Sequence, residues 1–448
     1  MLTAMLTGQK AMMSFTGGFM TKLTAKRLMP KMLICAVSAS LAISLSPQSA
    51  AEDIASLSTK MMPASNIDLT EIDKRASQLM QQLEMVGLSV AIVENGEMTF
   101  AKGYGEVQRD SHMKVTEDTV FRWASVSKGV AAATVLSLQE EGHIELGQPA
   151  KLHASSLELP PHETDVSIED ILSHRVGIVR NAYDRRIEDG QSSRKVRGAL
   201  KNLKYLCEPG TCHTYQNVAF DASSEIVETV TGLPYKSVVK ERIFDPLEMD
   251  TASLTLEGLK RSKSWARPHG RSGARINRVK DNYYRVPAAA GINSSVKDLA
   301  KWMTAQMPLQ NNPEQDSSAI SEETSLAHLP MQTDTPLKIS QTIIDNMQTP
   351  RVETPREQRF MGRKFMSLKN AHYGLGWRVY DYAGNRVIGH RGGVEGYRAL
   401  VLFDPAKRSG IAMMWNSPHS QPIGLQLEFM DQLYGLPKKD WLRLNTKS

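Results

Sequence analysis

Strand-like patterns at both ends of the chain, with helical patterns between them, most strongly constrain the fold. Near the start, apolar runs at residues 88–93 and 98–103 flank Asn95-Gly96, a pair typical of tight β-hairpin turns. Near the end, strand-like runs recur at residues 377–382, 386–389, 399–403 and 411–415. Short connections between these runs predict antiparallel neighbours.

The middle of the chain carries helical patterns. Residues 125–141 and 219–231 show helical spacing of apolar residues and stop at a glycine, and Ser167 caps a third helix over residues 168–174. Further helices are predicted over residues 67–83 and 421–434. We therefore expect an α+β fold in which both chain ends build one antiparallel β-sheet flanked by helices, beside a mostly helical lobe.

The same patterns predict how the chain is divided. One domain is expected over residues 52–440. Its α/β lobe would take about residues 67–122 and 371–440, and its helical lobe about residues 123–304. About residues 305–370 are expected to form a variable insertion, because residues 308–336 are rich in Asn, Gln, Pro, Ser and Glu without clear periodicity.

The first 51 residues have the order of a secretory signal peptide. Lysine and arginine precede an apolar run at residues 32–45, which ends in Ser49-Ala50-Ala51. This run is shorter than the ~20 apolar residues of a membrane-spanning helix. We therefore expect export to the periplasm or the medium, with no transmembrane anchor once the leader is removed.

Charge does not predict a nucleic-acid partner. The formal net charge is +6, but residues 1–51 contribute five basic side chains and no acid. The remainder is close to neutral, and no run of one sign suggests a nucleic-acid groove.

Two cysteines outside the leader, Cys207 and Cys212, flank a Pro-Gly turn. In an exported protein this spacing predicts a disulfide. A zinc site would need a second ligand pair that the cysteines do not supply, and two free thiols are the remaining alternative.

A candidate nucleophile stands in the run Ser125-Val126-Ser127-Lys128, which matches the SxxK pattern. The pattern also occurs at Ser111, Ser192, Ser237 and Ser294, so context must decide. Only Ser125 follows an aromatic, apolar lead and opens an apolar helix. Burial of Lys128 on that helix would favour its neutral form and let it act as a base. The alternative is a capping serine beside a solvated lysine.

Two further motifs contain polar residues suited to catalysis. Tyr215-Gln216-Asn217 is the only YxN among twelve tyrosines. A tyrosine becomes a base when a nearby cation favours its phenolate, and an asparagine can both donate and accept hydrogen bonds. The second motif, His390-Arg391-Gly392, follows a predicted strand and precedes Gly393, and such glycines permit close approach of backbone to a ligand. A turn-facing tyrosine and a structural histidine are the alternatives.

Together these motifs resemble the serine β-lactamase and penicillin-binding-protein family, including class C β-lactamases, D-alanyl-D-alanine carboxypeptidases and related esterases. Residues 166–178, 287–302 and 373–377 are similar to the family as well. The resemblance implies that Ser125 is the nucleophile and that Lys128 and Tyr215 exchange protons. It also implies that Asn217, His390, Gly392 and Gly393 bind substrate, with the amides of Ser125 and Gly393 forming the oxyanion hole.

One departure from the family bears on substrate choice. Class C β-lactamases usually have Lys-Thr-Gly where this chain has His390-Arg391-Gly392. A neutral imidazole lacks the fixed charge that a lysine offers a substrate carboxylate. We therefore expect uncharged short-chain esters to be turned over better than penicillins. Protonation of His390 below pH ~6.5 is expected to strengthen carboxylate binding.

The resulting functional prediction is an exported serine hydrolase that forms an acyl-enzyme at Ser125. Its substrates would be small molecules, peptides or cell-wall fragments with an ester, peptide or β-lactam bond, an esterase or peptidase being favoured. No metal or organic cofactor is implied. The alternative is a low-turnover β-lactamase, or a non-catalytic protein of the same fold that senses penicillin or peptidoglycan.

Overall fold

The architecture follows from the pairing of the two chain ends in one antiparallel sheet. The computed structural model describes residues 67–308, 337, 339–364 and 367–444. Eight strands of this part of the chain form the sheet in the order β2-β1-β10-β9-β8-β7-β6-β5. Strand β1 (Gly87–Glu94) therefore pairs on one side with β2 (Glu97–Gly105) and on the other with β10 (Ser409–Trp415).

The remaining strands complete this sheet and a small second one. The sheet continues with β9 (Tyr397–Asp404), β8 (Asn385–Val394), β7 (Arg378–Tyr382), β6 (Leu368–Tyr373) and β5 (Val352–Glu353). The short strands β3 (Phe121–Arg122) and β4 (Asn293–Ser294) pair with each other.

Helices cover both faces of the sheet and form the helical lobe. They are α1 (Leu69–Leu79), α2 (Ser127–Glu140), α3 (Ile168–Leu172), α4 (Asp184–Glu188), α5 (Ser193–Gly198), α6 (Ala222–Thr231), α7 (Tyr235–Val239), α8 (Leu256–Arg261), α9 (Pro287–Ala290), α10 (Val296–Thr304), α11 (Gln341–Gln348), α12 (Pro355–Lys364) and α13 (Ile423–Leu433). A π-helical turn at Lys240–Phe244 and 3₁₀ turns at Ala124–Val126, Ala150–Leu152, Ala199–Asn202 and Asn282–Arg285 complete the lobe.

Strand side chains divide between two hydrophobic clusters, as the two-residue period of a strand requires. In β9, Leu400 and Leu402 belong to the cluster beneath α1 and α13. Val401 and Phe403 belong to the larger cluster, which includes the apolar side of α2. Helix α2 is buried along most of its length between this face of the sheet and the helical lobe. Its first turn therefore lies where the two lobes meet.

The α+β prediction is confirmed. The Asn95-Gly96 hairpin forms with both residues at positive φ, Ser167 and Asp170 make a capping box, and Gly232 ends α6 in the left-handed conformation. Among the strands, β3 to β6 were not predicted, and among the helices α4, α5 and α7 to α12 were not predicted individually. The expected signal peptide and residues 309–336 of the expected insertion lie outside the described residues.

Candidate active site

Ser125 lies in the tight turn that leads into α2. The 3₁₀ turn Ala124–Val126 precedes the helix, and Ala124 has the unusual φ of +48°. Such a conformation costs energy for a residue with a side chain and is found at functional sites. The preceding residue is fixed by a hydrogen bond from the Trp123 N–H to the Ile292 carbonyl (2.9 Å). Ser125 remains partly exposed while both of its neighbours are buried.

Lys128 lies one helical turn after Ser125 and is fully buried. Its ammonium donates to Asn217 Oδ1 (2.7 Å), to the Ala289 carbonyl (2.9 Å) and to Ser125 Oγ (3.4 Å). An ammonium has three hydrogens, so these three acceptors use all of them. Two strong bonds hold the nitrogen in place and direct the third hydrogen at the serine oxygen.

Asn217 connects Lys128 to an acidic residue that the sequence analysis did not identify. Its amide nitrogen donates to Asp184 Oδ2 (2.7 Å), while its oxygen accepts from Lys128. Burial raises the pKa of Asp184, and the hydrogen bond from Asn217 and the charge of Lys128 oppose that rise. Asp184 thereby fixes which way the Asn217 amide faces.

Tyr215 packs directly against these groups and is 8% exposed. The Lys128 nitrogen lies 4.8 Å from the centre of its ring, and the guanidinium of Arg378 lies 5.7 Å from it. On another side the ring of His174 is 4.1 Å away. Ser125, Lys128, Tyr215 and Asn217 therefore come together, although YxN and SxxK are far apart in sequence.

Ser127, the other serine of the motif, points elsewhere. It is fully buried, and its Oγ accepts a hydrogen bond from the Ile292 N–H (3.1 Å). Ser127 therefore belongs to the buried residues that support the turn carrying Ser125.

His390 lies in β8, buried against Tyr373. Its Nδ1 lies 3.0 Å from the Arg391 carbonyl, which can only accept, so Nδ1 carries the proton. Nε2 then accepts from the Tyr373 hydroxyl at 3.0 Å. Burial, followed by the charges of Arg378 and Lys128, holds the pKa of His390 well below its usual value. The expectation that His390 gains a charge near pH 6.5 is therefore wrong.

Gly392 and Gly393 lie beside the nucleophile turn. A Cβ at Gly392 would stand 2.0 Å from the Trp123 carbonyl oxygen and 3.0 Å from the Ser125 nitrogen, so only glycine allows this approach. Gly393 is exposed. The backbone of β8 thus runs directly past the Ser125 amide.

Arg378 in β7 was missed by the sequence analysis. Its side chain is 12% exposed, and its buried Nη1 lies 3.4 Å from Oε2 of Glu357 in α12, an ion pair without hydrogen-bond geometry. Glu357 also pairs with Arg391. Burial opposes ionisation of Glu357, but these arginines hold its pKa below the usual value. The sequence signal was only an arginine in a predicted strand, which does not by itself place the side chain beside Tyr215.

His174 was missed as well, although it follows the α3 helix that was predicted. Its Nδ1 accepts from the Gln216 N–H (3.2 Å), and its Nε2 is buried without a partner in the described part of the chain. Burial and then the charge of Lys128 hold the pKa of His174 well below its usual value. A neutral, fixed ring therefore supports the backbone directly after Tyr215.

Cys207 and Cys212 form a disulfide with Cα atoms 6.3 Å apart. The closed loop is tied to the segment after α3, because the Gly210 N–H donates to the Arg175 carbonyl (2.8 Å) and the Thr214 N–H to the His174 carbonyl (2.8 Å). The disulfide therefore borders the segment that carries Tyr215.

Neither a membrane-spanning helix nor a cluster of metal ligands occurs in the described residues. None of their helices is long and apolar enough to span a membrane. Nor do these residues contain a group of three or more His, Cys, Asp or Glu side chains suited to a metal ion.

Comparison with known proteins gives a consistent result. A family model described as Beta-lactamase matches residues 72–431. Among curated proteins, the unguisins hydrolase ungD of Aspergillus violaceofuscus is 28% identical over 393 residues, which are 83% of this chain and 65% of that protein. Protein flp of Staphylococcus aureus (strain MW2) is 22% identical, over 77% of this chain and 62% of its own length. The chain thus spans slightly less than two thirds of these relatives.

Solved structures share the fold. The octameric penicillin-binding protein homologue from Pyrococcus abyssi superposes with a TM-score of 0.70 at 22% identity, over 84% of this chain and 80% of that one. The beta-lactamase/D-alanine carboxypeptidase from Pseudomonas syringae superposes with a TM-score of 0.62 at 17% identity, over 83% and 99%.

Proposed function

Because this chain belongs to the Beta-lactamase family, we propose that it is a serine hydrolase that forms an acyl-enzyme at Ser125. The observation that carries the proposal is the position of the Lys128 ammonium, buried and within reach of Ser125 Oγ, Asn217 and the Tyr215 ring. A capping serine beside a solvated lysine, the alternative interpretation of SxxK, does not fit a fully buried lysine.

The chemistry follows from that position. Ser125 Oγ attacks the carbonyl carbon and loses its proton to Tyr215, which acts as a phenolate beside the Lys128 ammonium. Tyr215 returns the proton to the leaving alcohol or amine as the old bond breaks. A water molecule then attacks the acyl carbon and gives one proton to Tyr215, which passes it to Ser125 Oγ as the acyl–serine bond breaks and the acid leaves. The amides of Ser125 and Gly393 would stabilise the oxyanion in both steps.

Arg378 bears on the class of substrate. The Arg378 guanidinium lies beside the Tyr215 ring, and its ion pair with Glu357 is long at 3.4 Å, so this cation can also bind a substrate carboxylate. It offers the fixed charge that neutral His390 lacks. We therefore propose esters or peptides bearing a carboxylate as substrates, whereas the sequence analysis, which considered only His390, favoured uncharged esters. The curated relative named as a hydrolase of unguisins supports hydrolysis in general. Export of the protein is part of this proposal and rests on the leader sequence.

The test is burst kinetics with a p-nitrophenyl ester, together with mass spectrometry of the intact protein. We expect an initial release of one equivalent of nitrophenol, then steady turnover, and an acyl adduct on the peptide that contains Ser125. Ser125→Ala should lose the adduct and the burst. One equivalent released without further turnover would favour the sensing alternative.

Ser127→Ala is the matched control. Because Ser127 Oγ only accepts a backbone hydrogen bond, we expect that variant to form the adduct, with stability lower by about 1 kcal/mol. An inactive Ser127→Ala beside an active Ser125→Ala would overturn the assignment of the nucleophile.

A further inference from the structure

One ion pair joins the segment before Ser125 to the turn after Gly393. Arg122, in β3, stands three residues before Ser125, and Glu395 stands two residues after Gly393. The Arg122 Nη1 donates to Glu395 Oε2 at 3.1 Å. The two residues thus connect the two chain segments whose amides would bind the oxyanion.

The pair is buried and incompletely satisfied. The side chain of Arg122 is 0% exposed and that of Glu395 is 15% exposed. Arg122 Nε and Nη2 and Glu395 Oε1 are buried without hydrogen-bond partners among the described residues. Removing two charges from water in this way costs several kcal/mol per ion, so the pair is weak evidence for a gain in stability. Its location suggests a different role.

The turn that carries Glu395 has a defined shape. Val394 pairs with Tyr397 across a two-residue loop, and both loop residues have positive φ, +46° at Glu395 and +95° at Gly396. A non-glycine residue at positive φ is held there by its surroundings. Glu395 Oε2 accepts from Arg122 and also from the Lys280 N–H (3.2 Å). These contacts fix the turn against β3.

Arg122 is fixed as well. Its guanidinium lies 4.2 Å from the centre of the Tyr284 ring, and the Tyr284 hydroxyl donates to Asn293 Oδ1 (2.6 Å). Asn293 is the strand partner of Arg122 in the small sheet. The Arg122 guanidinium is therefore fixed in place, and it holds the Glu395 carboxylate in position.

We propose that Arg122 and Glu395 are a positioning pair that sets the distance and orientation between the Ser125 and Gly393 amides. This inference rests on the proposed acyl-enzyme function. Neither side chain needs to contact substrate. The ion pair acts through the backbone, because a small displacement of either amide weakens hydrogen bonds to the oxyanion more than it weakens binding of the ground state.

Glu395→Gln tests the pair while preserving its shape. Loss of a whole oxyanion donor costs about 10²–10³ in kcat, so a misplaced donor should cost about 10-fold or more. We expect kcat for the p-nitrophenyl ester to fall by that factor with KM unchanged. The Kd of a boronic acid, which forms a tetrahedral adduct with Ser125, should rise by the same factor. Glu395→Asp, which keeps the charge, should restore part of both.

Glu428→Gln provides the matched control. It removes the charge from another buried ion pair, formed with Arg75 at 2.7 Å between α13 and α1. We expect this variant to lose stability and to keep the wild-type kcat, KM and boronic-acid Kd. If Glu395→Gln behaves in the same way, the pair is only structural and the proposal is wrong.

Comparison with Ser125→Ala distinguishes failure of the proposed function from failure of the positioning role. If Ser125→Ala still turns over the ester, the proposed function has failed, whatever Glu395→Gln does. If Ser125→Ala is inactive and Glu395→Gln has a wild-type kcat, only the positioning role has failed. Should Glu395→Gln not fold, Arg122→Gln, which also removes one charge of the pair, replaces it, and a wild-type kcat in that folded variant would contradict the proposal.

Discussion

Lys128 shows how a single side chain can organise a site at the residue scale. Its two short hydrogen bonds, to Asn217 and to the Ala289 carbonyl, come from two different segments of the helical lobe. Asn217 is in turn oriented by Asp184. The lysine nitrogen can therefore move little. Its position beside Ser125 depends on its hydrogen bonds to Asn217 and Ala289 and on the hydrogen bond from Asn217 to Asp184.

A prediction at this scale distinguishes Arg378 from His390 as the residue that binds a substrate carboxylate. On the Ser125→Ala background, Arg378→Met should raise the Kd of benzylpenicillin, which bears a carboxylate, by about 10-fold or more, because a charge-assisted hydrogen bond is lost. Arg386→Met, at the other end of the β7–β8 pairing, is the control and should leave Kd unchanged. Equal Kd values for Arg378→Met and its parent would contradict carboxylate binding by Arg378.

The pH dependence completes that experiment. Because burial and the charges of Arg378 and Lys128 hold the pKa of His390 well below its usual value, we do not expect the ring to gain a proton near pH 6.5. His390→Gln should therefore show the same pH profile of Kd as its parent. A rise in affinity below pH 6.5 that disappears in His390→Gln would show that the imidazole gains a proton in the site.

The chemical groups of the site could be predicted from sequence because each lies in a short motif. Ser125 and Lys128 share one helical turn, and Tyr215 and Asn217 are two residues apart. Arg378 could not be predicted, since its place beside Tyr215 depends on the register of β7 against β8, where it pairs with Gly389. The burial of His390 depends on Tyr373, which is contributed by a strand that the sequence did not reveal.

At the scale of elements, the segment from α3 to Tyr215 is held by its disulfide and by backbone hydrogen bonds. The loop between Cys207 and Cys212 is short, so the chain-entropy estimate gives about 2 kcal/mol of stability. We expect the double variant Cys207→Ser/Cys212→Ser to unfold in urea with a free energy lower by about that amount. Activity should fall by less than in Ser125→Ala, because the His174 and Thr214 contacts remain.

Reduction of the wild-type protein provides the control. Dithiothreitol should lower the unfolding free energy of the wild type to that of the double variant and should not affect the variant itself. An unfolding curve of the wild type that is the same with and without dithiothreitol would contradict a stabilising disulfide.

Elements with strong local signals were predicted, and those without were not. The β1–β2 hairpin and the α3 cap depend on residues within a few positions of each other. By contrast, β5 has two residues and β6 is paired with an irregular register, so neither carries a regular alternating pattern. Helix α12 is strongly polar, and its position depends on Glu357 contacting two arginines of the sheet.

At the scale of the whole molecule, the chain ends are joined by buried charge as well as by the sheet. Arg75 of α1 donates to both carboxylate oxygens of Glu428 in α13 and also pairs with Asp440. Arg75→Ala leaves two carboxylates without their partner, so we expect unfolding to be easier by about 3–5 kcal/mol. Because α1 and α13 pack on the face of the sheet opposite α2, kcat and KM should not change.

Urea unfolding and ester kinetics on the same preparation check this prediction. A tenfold loss of kcat at unchanged stability would mean that the end-to-end contact communicates with the site.

The general architecture was predictable because strands at the two ends with helices between them have few ways to bury their apolar faces. The order of the eight strands was not, since it depends on contacts between distant residues.

The pairing of β1 with β10 has a consequence for how the molecule is made. Arg75 and Glu428 are 353 positions apart, and β1 acquires its second neighbour only when β10 arrives. All residues between β1 and β10 must leave the ribosome before that edge can close. Until then β1 exposes unpaired backbone groups, a state in which strands are prone to aggregate. Contacts this distant in sequence form slowly. A nascent chain therefore stays incompletely folded, and can bind a holding chaperone or a protein-conducting channel, until β10 is available to pair.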